Sequence, residues 1–205
     1  MLKLIEPNWW VVLLKNLNWW MNSSQTLIHW LPILSDIFVF TYPVFLIWLY
    51  VMWWIKSNIY YKKAALFIFS GTFLSVCLNV FIQFFIDKTR PNFVLWLVDE
   101  KTESILHKFL PTSSFPSDHA AVSMSFAMAT LFWGIKNKDG KFIWFGIVFL
   151  LFSLIMCFSR VTIAVHWPTD IIWGIIVGLF VIAILSRKKI FNFFDKIFEK
   201  IATFF

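Results

Sequence analysis

Charge is what this 205-residue sequence has least of: Asp, Glu, Lys and Arg make up 14%, against about a quarter in an ordinary soluble domain. Hydrophobic residues reach 60%. One core in a chain of this length cannot hide so much apolar surface, which excludes a soluble enzyme or a disordered tail and makes a bilayer the expected solvent. Cysteine is scarce as well. Cys77 and Cys157 both lie in apolar runs, lack the spacing of a metal or redox pair, and read as packing residues. The sequence has no glycine-rich phosphate loop, no internal repeat, no low-complexity tract and no linker long enough to separate domains, so residues 1–205 read as one domain. What is abundant is aromatic: 26 Phe and 13 Trp, the residues of membrane-interface belts. The net charge of +7 is better explained by membrane sidedness than by nucleic acid.

Apolar runs nearly free of charge predict an all-α membrane bundle with about five spans, at 37–55, 64–86, 119–135, 142–159 and 161–186. Interfacial helices are expected at both ends. Residues 1–30 carry Trp9, Trp10, Trp19 and Trp20 around an apolar stretch too short to span. Residues 187–205 alternate Phe191, Phe194 and Phe198 with charged residues at helical spacing, an amphipathic tail expected on the membrane surface. Eleven of the 18 basic residues fall in 56–63, 136–141 and this tail, which predicts that these face the cytoplasm and that 87–118 and 159–168 face outward. Apolar residues from Phe93 to Phe109 suggest an interfacial lid over that outer side.

Titratable residues gather at the outward helix ends, where burial makes them costly and hence functional candidates. Arg90-Pro91 closes the second span, Pro116-Ser117-Asp118-His119 opens the third, Ser159-Arg160 closes the fourth, and His166 and Asp170 open the fifth. Taken singly, each has an ordinary explanation: a snorkelling arginine, a helix cap, or a local His–Asp pair. Together on one side, the set suits phosphate: planar guanidinium forks, a helix start favouring an anion, and two histidines able to divide nucleophilic attack from proton transfer. No carboxylate cluster suggests a magnesium site, so a metal-free reaction without cofactor is expected.

These residues resemble the type 2 phosphatidic acid phosphatase (PAP2) superfamily, whose motifs are Lys-x6-Arg-Pro, Pro-Ser-Gly-His and Ser-Arg-x5-His-x3-Asp. The third is complete in Ser159, Arg160, His166 and Asp170; the second has Asp118 in place of glycine; the first has Gln83 in place of lysine, seven residues before Arg90. Asp118, the missing lysine, Leu78-Asn79 and the five-span length are similar to bacterial undecaprenyl pyrophosphate phosphatases of the bacitracin-resistance type. The resemblance implies His166 as nucleophile, Asp170 as its orienting carboxylate and His119 as proton carrier. It also implies Arg90, Arg160 and Ser117 as phosphate ligands with Ser159 in support, and a lipid phosphate or diphosphate substrate at the outer face of a bacterial inner membrane; Gln83, on the same helical face as Arg90, is expected to donate a hydrogen bond to the phosphate without adding charge. A phosphatase for phosphatidylglycerol phosphate, phosphatidic acid or lipid A, or a non-catalytic lipid-phosphate binder, are the other readings of the same residues.

Overall fold

The computed structural model describes residues 2–3, 6–95 and 113–204. Most of the expected 93–110 lid lies outside them. The chain folds as an all-α membrane bundle: α1 (Asn8–Asn22), α2 (Gln25–Asp36), a 3-10 turn (Ile37–Phe40), α3 (Thr41–Lys56), α4 (Ile59–Phe85), α5 (Pro91–Leu95), α6 (Asp118–Asn137), α7 (Gly140–Thr162), α8 (Pro168–Leu185) and α9 (Lys188–Phe204). Two-residue segments Leu2–Lys3 and Ile86–Asp87 pair in parallel.

Among the described residues, four helical stretches are long and apolar enough to cross a membrane: Gln25–Lys56, Ile59–Phe85, Gly140–Thr162 and Pro168–Leu185. The fifth expected span is α6, whose 20 residues extend about 30 Å. It is the least oily because it is central. It packs on α4, α7 and α8, and Ala120, Ala121, Ser123, Ser125, Ala127 and Ala129 are buried along it. Small residues let membrane helices approach closely. On α8, a Cβ at Gly174 would lie 2.5 Å from the Ser117 carbonyl oxygen, so α8 rests directly on the turn that begins α6.

The last two expected spans have different bounds. α7 runs on through Arg160 to Thr162, and the chain then turns at Ala164, whose φ of 57° is left-handed. α8 starts only at Pro168, a residue suited to the first helical position, where its missing N–H has no intrahelical partner to lose. His166 therefore sits on a short loop rather than in a helix.

The two ends pack onto the bundle. Leu14 of α1 packs with Ala164 and Trp167, and Asn18 donates to the Thr162 carbonyl at 3.2 Å, so α1 covers the α7–α8 loop. Trp9 and Trp19 on other faces stay exposed. In α9, Phe191 and Phe198 fold back into the main core beside Phe67 and Trp133, and Asp195 meets Lys63 of α4 at 2.7 Å.

Candidate active site

Three segments at one end of the bundle are stitched mainly through backbone atoms. The Ser114 N–H donates to the Lys88 carbonyl at 2.8 Å, the Asn92 N–H to the Ala164 carbonyl at 3.0 Å, and the Trp167 indole to the Thr89 carbonyl at 2.9 Å. The Ser117 N–H reaches the Asp170 carbonyl at 3.0 Å. Arg90, Ser117, His119, Arg160, His166 and Asp170, distant in sequence, are thereby carried on one end of the bundle.

His166 is buried, and its Nδ1 lies 2.9 Å from the Ser114 carbonyl oxygen. A carbonyl only accepts, so the proton belongs on Nδ1 and the lone pair on Nε2. Burial, reinforced by the charges of Arg90, Arg160 and His119, holds the imidazole well below its ordinary pKa, so the ring is neutral near pH 7. Asp170 is 3.6 Å from Nδ1, beyond a hydrogen bond. Its carboxylate instead accepts from the Ser114 hydroxyl at 2.8 Å, the Trp167 N–H at 2.9 Å and Lys88 Nζ at 2.5 Å. It holds the ring indirectly, by fixing the residue whose carbonyl receives the ring proton. Lys88 also pairs with Glu6 and donates to Thr169 at 2.7 Å.

On the other side, the Ser117 hydroxyl and Arg160 Nε are buried and find no hydrogen-bond partner among the described residues. Beside them, the first N–H groups of α6 lack intrahelical acceptors by helix geometry. Unspent buried donors are costly and mark where an anion would be held. Arg160 Nη2 is already engaged: it pairs with Asp36 and lies 2.5 Å from His119 Nε2, which is itself 3.1 Å from Asp36 Oδ1.

Two residues read as phosphate ligands from the sequence have other partners here. Gln83 Nε2 donates to the Pro116 carbonyl and to Asp118 Oδ1, both at 2.9 Å. Asn79, one turn earlier, does the same at 3.1 and 2.7 Å. The two amides hold the turn before α6 and tie down Asp118, which gives that carboxylate a structural purpose. The Ser159 hydroxyl donates to the Ile155 carbonyl within its own helix at 2.9 Å.

Sequence reasoning missed Asp36, Ser114, Glu6 and the pairing of Lys88 with Asp170. Asp36 had a signal, being an acid at the edge of a long apolar run. Ser114 had none, since half of its contribution is a backbone carbonyl. Among the described residues, no group of three or more His, Cys, Asp or Glu could hold a metal ion.

Sequence comparison places these geometries among known proteins. YbjG of Escherichia coli, provisionally named an undecaprenyl-diphosphatase, is 34% identical over 93 residues, 44% of this chain and 42% of that protein. Lipid A 1-diphosphate synthase of Escherichia coli is 28% identical over 72% of the chain and 64% of its own length. Undecaprenyl-diphosphatase BcrC of Bacillus subtilis is 27% identical over 69% of the chain and 64% of its length. The chain thus spans less than two thirds of each. No solved structure matches. Residues 64–193, well over half of the chain and the stretch that carries His119, His166, Arg90 and Arg160, match the PAP2 superfamily, and the chain belongs to that family.

Proposed function

We propose that this protein is a lipid phosphatase that removes the outer phosphate of undecaprenyl diphosphate, at the outer face of a bacterial cell membrane. The observation that carries the reading is one juxtaposition. A buried neutral histidine with its lone pair on Nε2 shares a helix-start cradle with unspent donors on Ser117 and Arg160 and with a second, more exposed histidine.

In the first step His166 Nε2 attacks the outer phosphorus, a P–N bond forms, and the bridging P–O bond breaks with its electron pair going to the departing lipid phosphate. His119 supplies a proton to that oxygen. In the second step water attacks the phosphohistidine while His119 takes its proton, the P–N pair returns to Nε2, and inorganic phosphate leaves. Arg90, Arg160, Ser117 and the first N–H groups of α6 neutralise charge on the transferring phosphoryl group. Asp170, Ser114 and Lys88 keep the attacking ring in place. Because the cradle lies where helices end, the reacting phosphate can enter sideways while its tail stays in the bilayer.

The names of YbjG and BcrC support a polyprenyl diphosphate, and that of lipid A 1-diphosphate synthase keeps lipid A as a second reading. Phosphate release by purified protein from undecaprenyl diphosphate, lipid A, phosphatidylglycerol phosphate and phosphatidic acid tests both. Fastest release from undecaprenyl diphosphate is expected. Preference for another lipid reassigns the substrate, and release from none overturns the phosphatase reading.

A further inference from the structure

α6 and α8 both start beside the cradle, where the Ser117 N–H meets the Asp170 carbonyl, and run side by side away from it. Their first halves touch because α8 has glycine there: a Cβ at Gly174 would lie 2.8 Å from the Ala120 Cβ, and one at Gly178 would lie 2.8 Å from the Ala121 carbonyl oxygen. Beyond Gly178, α8 has no further glycine, and most of the facing residues are large. A cleft of about 290 Å³ opens between the two helices, lined by Met128, Leu131, Phe132 and Ile135 of α6 and by the face of α8 from Leu179 to Ser186. Its one polar side chain, Ser186, donates to the Ile182 carbonyl of its own helix at 2.6 Å. The lining therefore suits hydrocarbon.

The far end of the cleft is charged. Ile135 is followed by Lys136, and Ser186 by Arg187, Lys188 and Lys189, all four exposed. Lys136 Nζ lies 6.0 Å from the ring centre of Phe132, which lines the cleft, and 3.9 Å from that of Phe191. Acids at this end have other partners: Asp139 accepts from the Tyr60 hydroxyl at 3.1 Å and from the Lys141 N–H at 3.0 Å, while Asp195 and Glu199 meet Lys63. Among the described residues, no carboxylate lies within ion-pair distance of the four cations.

We propose that this cleft is a binding site for an anionic phospholipid of the leaflet away from the cradle, with an acyl chain between α6 and α8 and its phosphate among Lys136, Arg187, Lys188 and Lys189. Charge distinguishes this occupant from the tail of the proposed substrate. That tail carries no anion at its far end, and its phosphates belong at the cradle, about 14 Å along α6 from His119 to Met128. A zwitterionic headgroup brings a cation of its own and gains less from four positive side chains.

The test is photo-cross-linking of the full chain in phosphatidylcholine nanodiscs. A diazirine is carried in the acyl chain of phosphatidylglycerol or of phosphatidylcholine at equal mole fraction, and adducts are mapped by mass spectrometry to 128–135 and 179–186. Labelling of these segments by the phosphatidylglycerol probe should exceed that by the phosphatidylcholine probe by about tenfold, well within what four cations near a surface supply, and the excess should shrink at high salt. Lys136→Gln, Arg187→Gln, Lys188→Gln and Lys189→Gln together should bring the two probes level. Ala183→Phe, which fills the cleft and leaves every charge in place, should lower labelling by both. Labelling of α7 by the phosphatidylcholine probe should stay constant throughout, which shows that the variants keep their fold. Equal labelling of the cleft by both probes in the unaltered chain would mark ordinary bilayer contact and overturn the proposal. Loss of the phosphatidylglycerol adducts on addition of a smaller amount of undecaprenyl diphosphate would give the cleft to a polyprenyl tail and overturn it as well.

Discussion

The two histidines of the cradle live in opposite surroundings. His166 is 4% exposed, on a loop pinned by carbonyls, and the Asp170 carboxylate near it has three donors of its own. His119 is far more exposed, and its described partners are the tips of two side chains from separate helices. The difference matches what two chemical tasks require. A nucleophile works from one fixed position in one protonation state, and burial enforces both. A proton carrier must change state every turnover, which calls for access to water and a partner for each form.

Breaking the buried flank should have the largest effect. His166→Ala is expected to abolish turnover and leave no labelled phosphohistidine after quench of a reaction with substrate radiolabelled in the outer phosphate, whereas His119→Ala should still form some slowly, since a departing phosphate needs less help from an acid than an alkoxide. Arg160→Ala, which removes the unpartnered Nε donor and the Nη2 contacts with Asp36 and His119, should lower kcat/KM by about two decades or more, roughly 2.7 kcal/mol or above. The same assay checks both.

Smaller changes sharpen the contrast. Gln83→Ala removes neutral donors from the Pro116 carbonyl and Asp118, a loss shared by Asn79, so turnover should fall about tenfold or less. A collapse as deep as that of Arg160→Ala would show that the turn before α6 depends on both amides. The smallest effect is on pH. Because His166 is held well below its ordinary pKa, it stays an unprotonated nucleophile as acid is added, and the acid limb of kcat/KM should lie below the ordinary imidazole value of about 6.5. An acid limb above that value would contradict a buried, neutral His166.

Much of this was legible in the sequence because apolar runs and polar interruptions report burial directly. The helices, the gathering of Arg90, Ser117, His119, Arg160, His166 and Asp170 at one end of the bundle, and the amphipathic tail all follow from that contrast. What could not be read are contacts that leave no pattern. Gln83 stands where the motif has lysine, and only its bonds to Pro116 and Asp118 reveal that it organises the turn. The indirect hold of Asp170 on His166 runs through a backbone carbonyl, which no residue type encodes. The α7–α8 break is a milder case: Trp167-Pro168 marks a helix start, but the turn at Ala164 depends on a left-handed backbone in a residue that carries no such signature.

Glu6 and Asp36 precede the family region, whereas the cations they grip, Lys88 and Arg160, lie inside it. The site's positive charges therefore sit inside the stretch that matches the family, and two of the acids that counterbalance them sit before it. Neutralising Glu6 and Asp36, as Gln and Asn, would leave every motif intact and is expected to strengthen the cradle's attraction for anions. Substrate affinity in this protein is thus open to tuning from a segment that contains none of the motif residues.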